Sequence, residues 1–129
     1  MKIKDLTKAE EQIMQILWKR GESFVNEILE EIPEPKPAYN TVSTIVRILV
    51  RKGFLDYVSY GKSHRYFPVV VREEYTKTYF RRFMKNYFSG SFPELVSFFT
   101  KEENMSLSEL EKIRKIMEAE ISKQTNQKP

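Results

Sequence analysis

Short polar and basic side chains recur along residues 39–52 at the spacing of one helix face. They carry amide, hydroxyl and guanidinium groups, with no acid among them: Asn40, Thr41, Ser43, Thr44, Arg47 and Arg51. Apolar residues occupy the other face at helical intervals: Val42, Ile45, Val46 and Leu49. Amides and hydroxyls hydrogen-bond to base edges, and guanidinium groups bind guanine or phosphate. The pattern predicts an amphipathic helix, from Tyr39 to about Lys52, whose outer face binds nucleic acid.

The side chains of this outer face differ in what they can contact. Asn40 can hydrogen-bond an adenine through two atoms, and the serine and threonine hydroxyls suit short base contacts. Arg47 can reach either a guanine or a phosphate, whereas Arg51 lies nearer the DNA backbone. Tyr39 either packs against the protein or touches a phosphate, and the sequence leaves both alternatives open.

The segment after this helix has the pattern of a β-hairpin. Aromatic and β-branched residues at positions 54–60 and 64–68 flank the short turn at positions 61–63. Lys62 stands at the tip, with His64 and Arg65 beside it, and we expect all three to contact phosphate or an adjacent minor groove. His64 is the only histidine, so no metal site can be built on histidines.

Two earlier helices must position these elements. Thr7 to Glu10 is a capping box for a first helix, which Gly21 should end. Ser23 is expected to cap a second helix, and Pro33, Pro35 and Pro37 should end that helix. Three helices followed by a hairpin is the order of a winged helix-turn-helix, which places its third helix in the DNA major groove.

The remaining sequence predicts further helices. One spans residues 72–88, a short one follows Ser91, and Ser106 caps the last. The aromatic face of the helix over residues 72–88 forms either a ligand pocket or a core or dimer contact, and we favour contact with a second copy. The residues expected at the dimer contact are Tyr75, Tyr79, Phe80, Phe83, Tyr87, Leu110, Ile113 and Met117. The predicted fold is mainly α with a small β-hairpin: a winged helix-turn-helix over residues 1–71 and a helical dimerisation region over residues 72–129.

Composition limits the class of protein. The 129 residues carry a net charge of +4 and no cysteine, which favours a reducing cytosol. Residues 21–35 hold five acids and no base, whereas residues 36–67 hold six bases and one acid, so the positive charge is local. The N-terminus lacks a signal peptide's apolar region, and no apolar run approaches the ~20 residues of a membrane span. Without a catalytic triad, phosphate loop or metal-ligand spacing, we expect a cytoplasmic non-enzyme with no cofactor or metal.

Several segments together resemble the penicillinase and methicillin-resistance repressors. The resemblance runs from Leu6 to about Glu118, nearly the whole chain. It rests on the start of the first helix with Trp18, the third helix and its exit, the second hairpin strand, and two later segments. These stretches are residues 6–18, 40–46, 49–55, 64–68, 90–96 and 107–111. The family's copper-responsive branch carries cysteine pairs, which this chain lacks.

The resemblance implies a homodimeric transcriptional repressor of β-lactam resistance genes that binds a palindromic DNA operator. It also implies release by proteolysis, triggered by a membrane-bound sensor protease. Matched by position, the cleaved bond is Phe98–Phe99, where better-known members have asparagine before the bond. The methicillin-resistance members also carry lysine and arginine where this chain has Asn40 and Ser43, so the bases recognised here are expected to differ.

Two other functions are compatible with the same elements. Some winged helices bind proteins, although an acidic third helix would suit that function better than this basic one. The chain could also repress unrelated genes and respond to a different release signal.

Overall fold

The computed structural model describes residues 3–102 and 104–127. Within these ranges the helices are α1 (Lys8–Arg20), α2 (Val25–Glu31), α3 (Tyr39–Arg51), α4 (Arg72–Phe88), α5 (Phe92–Glu102) and α6 (Leu107–Asn126), and the hairpin strands are β1 (Leu55–Tyr60) and β2 (Ser63–Pro68). The mainly helical fold class with one antiparallel hairpin is confirmed. The chain divides into two compact units, Met1–Arg82 and Phe83–Pro129, so the first extends past the predicted boundary at residue 71. The outermost residues of the predicted domains, 1–2 and 128–129, lie outside the described ranges.

The predicted capping box begins α1. The Glu10 amide donates to Thr7 Oγ1 at 3.2 Å, and the Thr7 amide donates to Glu10 Oε1 at 2.9 Å. The same carboxylate accepts a 2.6 Å hydrogen bond from Lys52 Nζ, at the C-terminal end of α3. Glu10 therefore caps α1 and also ties it to α3, although its side chain is almost fully buried.

The first unit has one hydrophobic core. The apolar stripes of α1, α2 and α3 pack together, and the hairpin covers one side of them. The largest fully buried apolar side chains are Ile13, Met14, Leu17, Ile28, Val42, Val46, Leu49 and Phe54. Burial of Val42, Val46 and Leu49 turns the polar side of α3 outward, as the helical spacing predicts.

Ser23 does not cap α2, so that prediction is wrong. Its amide and carbonyl exchange hydrogen bonds of 2.9 Å with the carbonyl and amide of Tyr66, which form an isolated antiparallel bridge beside β2. The helix begins two residues later, and the Glu27 carboxylate accepts the Phe24 amide at 2.9 Å in place of a serine cap. This pairing fixes the hairpin against the helices.

The connection between α2 and α3 is held by Lys36. Its ammonium donates to the carbonyls of Leu29, Glu30 and Ile32 at 2.9, 3.1 and 2.6 Å. The Leu29 carbonyl also accepts the Ile32 amide at 3.2 Å. A cation at this position suits the negative end of the helix dipole. The Lys36 ammonium therefore binds protein carbonyls within the first unit.

The hairpin is a six-pair antiparallel ladder from Leu55↔Pro68 to Tyr60↔Ser63. Gly61 and Lys62 form its two-residue turn, and the positive φ of 61° at Gly61 suits a residue without Cβ. Because side chains alternate along a strand, Tyr57, His64 and Tyr66 share one face while Val58 and Arg65 share the other.

Tyr75 is a core residue, so its assignment to a dimer contact is corrected. Its side chain is only 6% exposed and packs near the rings of Trp18 and Phe54, at centroid distances of 5.9 and 5.6 Å. Its hydroxyl accepts a 3.1 Å hydrogen bond from the Leu6 amide. Burial raises the pKa of this phenol, which stays protonated. Helical spacing alone could not distinguish core packing from contact with a partner.

The second unit is packed by aromatic rings. Phe88 lies 5.7 Å from Phe83 and 5.6 Å from Phe98 between ring centroids, and Met84 is almost completely buried. Ser106 caps α6 as predicted, accepting the Glu109 amide at 3.1 Å. No residue of α6 is buried, although the helix carries Leu107, Leu110, Ile116, Met117 and Ile121.

Replacing Glu10 by glutamine should destabilise the first unit at neutral pH. Burial raises the pKa of Glu10, but the hydrogen bond and charge of Lys52 and the Thr7 amide outweigh it, so the pKa is lowered overall. A depressed folded-state pKa contributes stability above the unfolded value, about 4.3, and this stability is lost as pH falls through the folded pKa. The substitution should cost about 1.5–3 kcal/mol at pH 7, with the difference shrinking below about pH 4.

Urea unfolding followed by the fluorescence of Trp18, the only tryptophan, measures this difference in the first unit. Glu11→Gln is the matched control, because Glu11 is exposed in the same helical turn and should change stability by about 0.5 kcal/mol or less. Equal effects of the two substitutions across the pH range would contradict a special role for the Glu10–Lys52 pair.

Candidate nucleic-acid interface

The polar side of α3 faces solvent as one surface, because the opposite stripe is buried. Five of the predicted contact residues on it are exposed and Ser43 is half-buried; the exposed ones are Asn40, Thr41, Thr44, Arg47 and Arg51. The helix contains no acid, so the exposed groups are hydrogen-bonding or cationic. Tyr39 stands at the helix start with 48% of its surface exposed.

Two hollows lie between α3 and the hairpin, with volumes of about 580 and 380 Å³. The larger brings together Tyr39, Ser43, Lys62 and other residues of both elements. The smaller reaches further along the helix, to Thr44 and Arg51. Arg47, His64 and Tyr66 line both. The structure thus gathers most of the predicted contact residues into one groove between α3 and the hairpin. The hairpin is the wing of a winged helix, so we call this the α3–wing groove.

The groove walls carry cations and few acids. No carboxylate lines the smaller hollow, and Glu27 is the acid that lines the larger one. That carboxylate already has partners within the protein, because it accepts the Phe24 amide and pairs with Arg20 at 3.0 Å. Arg20 also pairs with Glu31 at 3.1 Å, so part of the acidic charge of α2 is balanced within the protein. The groove can therefore bind an anionic polymer without strong repulsion from its walls.

Tyr57 is a groove residue that we did not predict from the sequence. Its ring is stacked on that of His64, with centroids 4.2 Å apart and planes within 2°. Tyr66 lies across the ladder from Tyr57, and its pKa is raised by burial, an effect that the nearby Arg47 charge opposes. The cross-strand register could have indicated Tyr57, because the same register puts it on the His64 face.

Arg65 is not brought into the groove. Its guanidinium pairs with Glu22 at 3.4 Å and lies 5.9 Å from the centre of the Phe24 ring. Strand alternation explains this placement, because Arg65 follows His64 and so lies on the opposite face of the hairpin. The predicted DNA contact by Arg65 would require it to leave Glu22.

The other predicted site residues belong to different elements. Tyr79 and Phe80 are exposed in the first unit, and Tyr87 and Met117 are exposed in the second. Leu110 is exposed to a lesser degree and Ile113 is half-buried on the same helix. Phe98 and Phe99 lie within α5, where Phe98 is 54% exposed.

The part of the chain that the structure describes contains neither a metal site nor a membrane-spanning helix. Across residues 3–102 and 104–127, no group of three or more histidine, cysteine or acidic side chains is arranged to hold a metal ion. Over the same part of the chain, every helix is too short or too polar to cross a membrane.

Comparison with known sequences identifies the relatives of this chain. The family model described as penicillinase repressor matches residues 6–119. Methicillin resistance regulatory protein MecI of Staphylococcus aureus strain N315 is 29% identical over 114 residues, covering 88% of this chain and 93% of that protein. The penicillinase repressor of Bacillus licheniformis is 24% identical over 118 residues, covering 91% and 92% of the two chains.

Comparison with solved structures finds a match over part of the chain. The solution structure of the DNA binding domain of the repressor BlaI matches with a TM-score of 0.50 and 27% identity. The match covers 57% of this chain and 92% of that domain. The winged-helix fold predicted from the order of elements is thereby confirmed.

The Tyr57–His64 stack can be tested by proton NMR. A ring stacked face to face shields its neighbour, so the carbon-bound ring protons of His64 should resonate upfield of a free imidazole. Tyr57→Leu should move these signals back towards the free value. They are easy to identify because the chain has one histidine.

Tyr60→Leu is the control, since Tyr60 lies near Phe24 at 6.0 Å on the other face of the strand. His64 signals that move equally in both variants, or in neither, would rule out the stacked arrangement.

Proposed function

The chain belongs to the penicillinase repressor family, and we propose that it is a transcriptional repressor that binds duplex operator DNA through α3 and the hairpin wing. The observation that carries this proposal is the α3–wing groove. It joins the acid-free outer face of α3 to a wing that presents Lys62 and His64. An α-helix fits the major groove, and its N-terminal half meets base edges when used for recognition.

Two relatives support the biological role. One is named a methicillin resistance regulatory protein and the other a penicillinase repressor. We propose that this chain likewise controls β-lactam resistance genes and acts in the cytoplasm, where its operator is found. Its action is then binding and not catalysis, and it requires no cofactor. Occupied operator DNA would exclude RNA polymerase from the promoter.

We further propose that the chain acts as a homodimer. Large apolar side chains remain exposed on α4 and on α6, including Tyr79, Tyr87, Ile116 and Met117. A second copy is the partner that two equivalent half-sites of a palindrome require. One winged helix alone binds weakly, whereas linkage to a second raises the effective concentration at the other half-site.

Cleavage between Phe98 and Phe99 is the proposed release step. The bond lies within α5, so a protease must first unwind that turn before the backbone can enter its active site. Cleavage at this bond would leave α6 and the winged helix on separate fragments of the chain. A membrane-bound sensor protease is the proposed agent, and loss of the dimer would then lower operator occupancy.

Binding should weaken steeply with salt if phosphate contacts dominate. Fluorescence anisotropy with a duplex enriched from a random pool should give a log K against log salt slope of about −4 or steeper. Lys62→Gln should make the slope shallower by about one unit for each half-site. Lys19→Gln is the control, because Lys19 is exposed on α1 and lines neither hollow. A slope near zero would favour a protein-binding module instead.

Removing the second unit should weaken binding without unfolding the first. A chain ending at Arg82 keeps the core residue Tyr75 and the hydrogen bond from Arg82 to the Ile3 carbonyl, both of which an end at Val71 would lose. The shortened chain should sediment as a monomer and bind a full operator about 100-fold or more weakly than the full chain. A chain ending at Asn126 is the control and should bind normally. Equal affinity of all three chains would contradict the dimer.

A further inference from the structure

The Arg47 side chain is held by two groups of its own helix. Its Nη2 donates to Thr44 Oγ1 at 3.3 Å, and its Nε donates to the Ser43 carbonyl at 3.4 Å. Thr44 is itself fixed, because its hydroxyl donates to the Asn40 carbonyl at 2.8 Å. A hydroxyl has one proton and two lone pairs, so this donation leaves the Thr44 oxygen free to accept from Arg47.

These contacts direct the guanidinium towards the start of α3. Side chains in a helix lean towards its N-terminus, and the bonds to positions 43 and 44 hold Arg47 in that direction. The N-terminal half of a recognition helix is the part that meets base edges. Arg47 therefore delivers its charge to the base-facing half, although its own Cα lies one turn later.

Arg47 keeps enough unused N–H donors to hydrogen-bond to a base. A guanidinium has five N–H groups, and the two contacts on α3 use one at Nε and one at Nη2. Both Nη1 protons and the second Nη2 proton are left, and a pair of N–H groups from the two Nη atoms matches the O6 and N7 acceptors of guanine. Arg51, by comparison, makes no side-chain hydrogen bond within residues 3–102 and 104–127, so no hydrogen bond orients its guanidinium.

We infer that Thr44 is a positioning residue, which holds Arg47 over the base-facing half of α3 so that Arg47 reads a guanine and not a phosphate. The inference rests on the proposed function, because it concerns how the same face distinguishes DNA sequences. Thr44 then acts by positioning Arg47 and does not itself contact a base. The ordered side chain loses less conformational freedom on binding, which strengthens the discrimination.

A double-mutant cycle tests the inference with the full chain. Duplexes are first enriched from a random pool by the unmodified protein, and affinities are then measured for the enriched site and its single-base-pair variants. Arg47→Ala should lose discrimination about tenfold or more at one position of each half-site. Thr44→Val, which replaces the hydroxyl by a methyl group, should lose about three- to tenfold at that same position.

The cycle separates action through Arg47 from direct contact. In the Arg47→Ala background, Thr44→Val should have no further effect, because the group it positions is gone. Thr44→Ser keeps the hydroxyl and should therefore retain the discrimination of the unmodified chain. Thr41→Val removes the hydroxyl of another exposed threonine of α3, and its effect should add to that of Arg47→Ala. Neither Arg47→Ala nor Thr44→Val should change the salt slope, since no phosphate contact is lost.

Three results would overturn the inference. One is a loss of affinity that is uniform over all duplexes, which would place Arg47 on phosphate. Another is an effect of Thr44→Val that persists in full without Arg47. The third is failure of the unmodified chain to enrich any DNA sequence, which alone would also contradict the proposed function.

Discussion

Burial of one stripe of α3 is the constraint on which the interface depends. Val42, Val46 and Leu49 are completely inaccessible to solvent, and each contributes roughly 1.5–3 kcal/mol by leaving water. Because a helix repeats every 3.6 residues, this anchoring fixes which side chains point outward. The outward side then carries only hydrogen-bonding and cationic groups over its N-terminal turns. Core packing and DNA recognition are thus two consequences of one periodic pattern.

The wing is placed by a separate set of bonds. Ser23 pairs with Tyr66 through backbone groups, and Phe54 is buried at the start of the hairpin. The groove between α3 and the wing exists because both elements are fixed to the same core. The pairing of Glu10 with Lys52 adds a link between α1 and the end of α3, so the recognition helix is held at its exit as well as along its buried stripe.

Local signals predicted much of the fold, and long-range partners account for what they missed. The Thr7 capping box, the bounds of α4 and the Ser106 cap all depend on residues within a few positions of each other, so sequence spacing was sufficient. Ser23 has the chemistry of a helix cap, but its partner Tyr66 is 43 positions away. Tyr75 fits an apolar stripe whether a core or a second copy covers it. Likewise, the positive charge of Arg65 does not reveal on which face of the hairpin it lies. Only the register of the hairpin shows that it faces Glu22.

The most direct measurement of the central claim is an NMR titration of the full chain with its enriched duplex, followed through two unique side chains. His64 lies in the α3–wing groove, whereas the Trp18 indole donates to the Val70 carbonyl at 2.9 Å and packs against Tyr75. If this groove binds DNA, the His64 ring signals should shift or broaden with saturation at one duplex per proposed homodimer, while the Trp18 indole proton stays in place. Unchanged His64 signals at saturating duplex would contradict DNA binding in this groove.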